Sequence, residues 1–298
     1  MLWSGSVANG SQLPLSFRCS SWSDRGWAAG NRMERSMTRT LGLIGSGMIG
    51  SAIARLAIGA GMDVVLSNSS GPGSLDPLVA ELGSRAKAST PSEAAKAGDI
   101  VVATIPLSAY KSLPAAAAAG KIVIDTMNYY PQRDGRIAEL DSFASTSSEL
   151  VQRHLDRSRI VKAFNNIDFR RLFTLARLSG SDERSAVPIA GNDEQAKSDV
   201  TYVLNLLGYD AVDIGTLSES WRSEPETPVY VKPYFPAHPP EGGTPEEAYR
   251  WFTETPGVPV SAATVRGLVD GTVRGTAGGY VPEDVSSFRA GADPNWNE

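Results

Sequence analysis

An apolar run, a glycine turn and an alanine-rich helix follow one another without a gap in residues 40–57, "TLGLIGSGMIGSAIARLA". Gly45, Gly47 and Gly50 fall in the spacing G-x-G-x-x-G between the two. Each glycine has its own task in such a turn. The first permits the tight reversal, the second leaves the backbone bare where a diphosphate approaches, and the third lets helix and strand pack closely. The first-turn N–H groups of the helix, at its positive dipole end, then face the phosphates. This order predicts a dinucleotide cradle, with Ser46, Met48 and Ile49 filling the positions between the glycines.

The rest of the chain repeats the alternation. Strands are predicted at 40–44, 62–67, 86–89, 99–105, 121–126 and 159–164, and helices at 48–59, 75–82, 91–97, 109–119 and 147–155. Most of these strands are continuous apolar runs, as expected where helices cover both faces of a parallel sheet. A helix at 169–177, a strand at 186–191, a helix at 193–208 and a strand at 210–215 then make a shorter α/β unit, too small to stand alone. The fold class expected is α/β: a Rossmann-like doubly wound parallel sheet with a small C-terminal α/β unit.

Four segments result. Residues 1–36, rich in Ser, Gly and Trp and without periodicity, read as a disordered extension, with Met33 and Met37 as alternative starts and a transit peptide as the lesser reading. Residues 37–168 are the dinucleotide-binding domain. Residues 169–235 are the small unit, expected to extend the sheet or pack on its edge and to close one side of a cleft. Residues 236–298 read as a Pro/Gly linker and an irregular tail, with one helical piece at 245–252.

Composition narrows the partners. A net charge of -5 without a basic cluster argues against nucleic acid or an anionic membrane, and a small-molecule redox substrate is expected instead. No apolar run reaches the roughly 18 residues a membrane span requires. The single cysteine, Cys19, and two histidines, His154 and His238, give no disulfide framework and no set of metal ligands. A reducing cytoplasm and a homodimer are the expectations.

Strand ends carry the chemistry, because ligands of parallel sheets sit outside the carboxyl ends of the strands. After the second strand, where an NAD enzyme carries a carboxylate for the ribose 2′-hydroxyl, this chain has Ser67, Asn68, Ser69 and Ser70. Hydroxyls and an amide without a carboxylate favour the 2′-phosphate of NADP(H). Thr104, Ile105, Pro106 and Leu107 are expected beside the nicotinamide, and Thr126, Met127 and Asn128 at the next strand end. Asn165 and Asn166 face the same rim. Tyr129 and Tyr130 read as packing residues or as a stacking surface for a second flat molecule. Lys162 reads as a surface charge, with a catalytic amine as the lesser reading.

The ordered series "GLIGSGMIGSAIARLA", "LSNSSGP", "TIPLSAY", "DTMNYYPQRDG", the run Ile160 to Asn165, "VPIAGND" and "DIGTLSES" resembles the deazaflavin-dependent NADP oxidoreductase family, over about residues 39–235. A related NADP-binding module occurs in ferric reductases of the STEAP type. The resemblance implies hydride transfer between NADP(H) and coenzyme F420. It implies that Ser67 and Asn68 touch the 2′-phosphate, that 104–107 line the nicotinamide side, and that Asn128 and Asn165 border the cleft the deazaflavin enters. Asn128, Asn165 and Pro106 are on that basis the candidate catalytic positions. Members often carry a basic residue where this chain has Ser70.

Direct hydride transfer between two rings needs proximity and exclusion of water rather than a strong acid, which fits a chain poor in histidine. Two other readings stand beside it. One is an NADPH-dependent reductase of a small carbonyl or imine, which needs a proton donor such as Lys162 or Tyr129. The other is a redox sensor that binds NADP(H) without turning it over.

Overall fold

The structure is a computed structural model that describes residues 39–236 and 244–279. Chain contacts divide the protein into Met1–Ser36 and Met37–Glu298, and all described residues belong to the second unit. The extension expected at 1–36 lies outside the described residues.

Among the described residues eight strands form one sheet: β1 (Thr40–Ile44), β2 (Asp63–Ser67), β3 (Ala86–Ala88), β4 (Ile100–Ala103), β5 (Ile122–Asp125), β6 (Arg159–Lys162), β7 (Ser185–Gly191) and β8 (Tyr209–Asp213). The helices are α1 (Met48–Gly59), α2 (Asp76–Leu82), α3 (Pro91–Ala97), α4 (Ala115–Ala118), α5 (Pro131–Asp134), α6 (Ala138–Asp141), α7 (Ser147–His154), α8 (Phe169–Thr174), α9 (Glu194–Leu206), α10 (Pro245–Glu254) and α11 (Ala262–Asp270). Strand order is β3-β2-β1-β4-β5-β6-β7-β8, so the chain winds outward from β1 in both directions. This is the doubly wound, Rossmann-like α/β fold expected from the sequence. The order reverses between β1 and β4, the switch point where such sheets bind ligands.

The strands are buried because helices cover both faces. Leu41, Leu43, Val64, Leu66, Ile100 and Val102 point into one apolar cluster, and Ile44, Val101, Ala103, Val123 and Ile160 into the other. Fully burying each large aliphatic side chain contributes about 1.5–3 kcal/mol. The helices start where the sequence places cap residues. Thr90 and Thr146 each accept a bond from the third helical N–H, while Glu93 and Glu149 reach back to the cap N–H.

Three features depart from the sequence reading. The helix expected over 109–119 is broken: Leu107–Ser112 forms a 3-10 turn and α4 begins only after Pro114, which cannot continue a helical hydrogen-bond ladder. Strand β7 runs antiparallel to β6, through the pairs Val161↔Gly191 and Lys162↔Ala190, and β8 then pairs parallel to β7. An apolar run carries no mark of its direction, so the sequence did not distinguish the two. Finally, the region expected to be an irregular tail contains α11, which buries Val265 and Val269 against β7 and β8, besides the helix anticipated near 245–252.

Residues 169–235 continue the main sheet through β7 and β8. Among the described residues no helix is long and apolar enough to cross a membrane.

Candidate functional site

The glycine turn is built as its spacing predicts. Gly45 has φ +101°, and a Cβ there would lie 2.6 Å from the Thr104 carbonyl oxygen. A Cβ on Gly50 would lie 2.2 Å from the Gly45 carbonyl oxygen and 2.8 Å from Thr104 Oγ1. Both positions exclude any side chain. Gly47, exposed at the N-cap of α1, has nothing within 4 Å of where a Cβ would stand, so the space above it opens to a ligand. Neighbouring strands brace the turn. Gly45 N–H donates to the Ser67 carbonyl at 2.9 Å, and Thr104 Oγ1 donates to the Gly45 carbonyl at 2.5 Å. Met48 is 59% exposed beside this opening, while Ile49 is half-buried against the core.

After β2 the residues divide. Ser67 is fully buried and its hydroxyl donates to the Leu43 carbonyl at 2.8 Å. The phosphate contact expected of its side chain is therefore not available; its role is to shape the turn from within. Asn68 organises the loop: its Oδ1 accepts from Ser70 N–H at 3.0 Å, and its Nδ2 donates to Ser74 Oγ at 2.8 Å. Gly71, at φ +90°, turns the chain, leaving Ser69 and Ser70 exposed.

The ends of β4, β5 and β6 complete the rim. Pro106 is exposed, Thr104 and Ile105 are half-buried, and Leu107 is buried in the core. Met127 is also buried; its N–H donates to Asp125 Oδ1 at 2.8 Å. Asn128 is half-buried and paired with Asn165 in both directions. Asn128 Nδ2 donates to the Asn165 carbonyl at 2.8 Å, and Asn165 Nδ2 donates to Asn128 Oδ1 at 3.2 Å. Asn165 is itself buried, with a further bond from its Nδ2 to the Ser223 carbonyl at 2.8 Å. Of this pair, Asn128 is the one that reaches the surface. Asn166 is buried too, bonded to the Val229 carbonyl and Tyr234 Oη, so it does not face the rim.

Two residues weighed as proton donors are enclosed. Tyr129 is buried, its hydroxyl donating to Asp141 Oδ1 at 3.1 Å and accepting from Ile137 N–H at 2.9 Å; burial raises its pKa. Lys162 is no surface charge. It lies fully buried against Asp125, its register partner on β5, at 3.3 Å. Tyr130 is half-buried at the rim. Its hydroxyl meets that of Tyr230, and Arg133 lies over its ring at 4.8 Å. Burial raises the pKa of Tyr130 and pushes that of Tyr230 well up, so both phenols stay protonated.

Asp134 joins two strand ends that the sequence left unconnected. It accepts from Ser108 N–H and Tyr130 N–H and pairs with Arg133, whose Nη2 also donates to the Asn128 carbonyl at 2.9 Å. Short-range spacing in "NYYPQRD" contains this cluster, but nothing in it marks which strand end it meets. His154 lies elsewhere, bonded to the Leu113 carbonyl and edge-on to Tyr110; His238 is outside the described residues. Among the described residues no group of His, Cys, Asp and Glu is placed to hold a metal.

Residues 40–129 match the family described as NADP oxidoreductase, coenzyme F420-dependent. A solved structure of the hypothetical protein SMa0349 from Sinorhizobium meliloti is similar at 26% identity, over 65% of this chain and 94% of that one, with TM-score 0.58. A protein from Arthrobacter sp. fb24, named as a candidate F420-dependent NADP reductase, aligns at 21% identity over 61% of this chain and 87% of its own, with TM-score 0.53, and shares the fold. No curated protein matches. The glycine cradle, open above Gly47, and the end of β2, which carries no carboxylate, lie within the segment 40–129 that is similar to this family of coenzyme F420-dependent NADP oxidoreductases.

Proposed function

We propose that this protein transfers hydride between NADP(H) and a deazaflavin coenzyme of the F420 type at the carboxyl edge of β1, β4 and β5. The observation that carries this is the cradle after β1, closed to side chains at Gly45 and Gly50 and open at Gly47, inside the segment that matches the family. NADPH bound there supplies the hydride from its nicotinamide ring. The N–H groups of 46–50 and the dipole of α1 hold the diphosphate. Asn68, Ser69 and Ser70 take the 2′-phosphate, with Ser67 shaping the turn beneath them. Thr104, Ile105 and Pro106 border the nicotinamide, with Leu107 and Met127 supporting from the core. Asn128, steered by Asn165, presents its amide to the second ring.

The enclosure of Tyr129 and Lys162 supports this reading over one that needs a strong acid at the rim. Mixing NADPH anaerobically with the oxidised deazaflavin should bleach the deazaflavin's visible band. Asn128→Ala should slow that transfer by about tenfold while weakening NADPH by less than about threefold. The opposite pattern would remove Asn128 from the reaction cleft.

Reduction of a small carbonyl or imine is the second reading, and the Tyr130–Tyr230 hydroxyl pair favours it, because two protonated phenols stand half-buried beside Asn128's loop. NADPH consumption with a carbonyl or imine panel, and none with the deazaflavin, would select it. Tight NADPH binding without turnover of either would select the sensor.

A further inference from the structure

Beneath the rim, the ends of β5 and β6 hold a charged network closed to solvent. Lys162 and Asp125 have side chains at 0% exposure. The ammonium has three hydrogens and three acceptors: Asp125 Oδ2 at 3.3 Å, the Met127 carbonyl at 2.5 Å and Ser147 Oγ at 3.0 Å. The carboxylate is as fully engaged, taking Ser148 Oγ at 2.7 Å on Oδ2 and Met127 N–H at 2.8 Å on Oδ1. Ser147 passes the connection on, its hydroxyl donating to Glu224 Oε1 at 2.6 Å.

A buried ion pair is a poor way to gain stability, since desolvating two charges offsets most of their attraction. This one has a different consequence. It fixes the two peptide groups that flank the Met127 Cα: Asp125 binds the Met127 N–H and Lys162 the Met127 carbonyl. The next residue is Asn128, and Asn165, which bonds it in both directions, lies just past Lys162 on the same chain segment.

We infer that Lys162 is a positioning residue, which with Asp125 and Ser148 sets the 126–128 loop so that Asn128 stands at a fixed place on the rim. The inference rests on the hydride-transfer reading. The glycine cradle after β1 is separated from the network by β4, which lies between β1 and β5. Disturbing Lys162 therefore changes the geometry of transfer more than the grip on NADPH, whose diphosphate lies at the separate cradle. A misplacement of about 1 Å near a reacting pair is enough to cost on the order of 10²-fold in rate.

Three variants test this: Lys162→Met; Ser148→Ala, which removes one bond and no charge; and the neutral double variant Asp125→Asn with Lys162→Met. The last two preserve the test if Lys162→Met, which leaves a carboxylate buried alone, fails to fold. Two measurements are made on each: amide hydrogen exchange over 126–130, and the single-turnover rate of deazaflavin reduction per bound NADPH. The second does not respond to a loss of folded protein. Exchange should accelerate locally, by about tenfold for the lysine variants. The rate per bound NADPH should fall by about tenfold or more, and by less for Ser148→Ala, with the NADPH Kd changed by less than about threefold.

Wild-type exchange over 126–130 in every variant that folds would overturn the inference, as would a loosened loop with an undiminished rate. If the wild-type protein reduces no deazaflavin, the functional reading fails by itself, and the exchange measurement still decides whether the pair holds the loop.

Discussion

The two ends of the rim are made of different material. After β1 the site is backbone: three glycines, a helix terminus and carbonyls braced by Thr104 and Ser67. After β5 and β6 it is side chain: Asn128, Asn165, Asp125 and Lys162, held by residues that arrive from α7 and from the segment near 223–224. A backbone cradle depends on what is left out, and any side chain in it fails by its bulk. A side-chain scaffold depends on complete pairing, and it fails when one partner is removed and another is left buried alone.

The largest expected effect breaks the first kind of site without touching the fold. Gly47→Val puts three carbons into open space above the turn, so the melting temperature should stay within a few degrees while the NADPH Kd, read by fluorescence titration, rises by about 1000-fold. Gly50→Ala gives the contrast, because its Cβ meets the Gly45 carbonyl at 2.2 Å and it should lower stability itself. A Gly47→Val protein that still binds NADPH would remove the cradle from the account.

The next effect tests side-chain pairing on α8. Arg171 is buried on α8, donates to the Phe252 and Thr255 carbonyls at the end of α10, and lies 3.9 Å from the Phe235 ring centre. Asp168 sits beside it at 3.6 Å, its pKa raised by burial against the pull of that guanidinium. Arg171→Met strands the carboxylate and two helix-end carbonyls, so urea unfolding should show a loss of about 3 kcal/mol.

Cofactor choice sharpens the comparison at the cradle's outer edge. Ser69→Asp sets a carboxylate where the 2′-phosphate is proposed to lie, and the NADPH to NADH preference in Kd should fall about tenfold, equivalent to about 1.4 kcal/mol. An unchanged preference would move the 2′-phosphate away from 68–70.

The smallest effect concerns acid. The Glu93 carboxyl is held down to about 2, first by the Ser89 hydroxyl and then by the Thr90 N–H and hydroxyl. A folded value below the ordinary one means that this cap stabilises fully above about pH 4.5 and that the contribution is lost as pH falls towards 2. Glu93→Gln should flatten that part of the stability profile in acid titration of the folded state.

Much of the site was legible in the sequence because it is local. The turn at 45–50 needs only its own spacing, and the strand ends at 104–107 and 126–128 follow from apolar runs that stop abruptly. Ser67 and Lys162 show where such reading stops. Ser67 sits among exposed-looking serines, yet it is buried because its hydroxyl bonds the Leu43 carbonyl on the neighbouring strand β1. Lys162 reads as a surface charge until β6 is set beside β5 and Asp125 is found opposite. A carboxylate and an amine at the last positions of two neighbouring apolar strands were the available signal.

By itself the sequence determined the winding of the sheet around β1, the geometry of the glycine turn and the absence of a carboxylate after β2, because period, glycine spacing and strand-end chemistry are written within a few residues of one another. Only the tertiary structure decided that β7 runs against β6, that α11 packs on the far strands, and that a buried lysine from β6 binds the Met127 carbonyl beside Asn128. Those depend on which distant segments meet, and the free energy of burying a charge is fixed by the partner found there rather than by any neighbour in the chain.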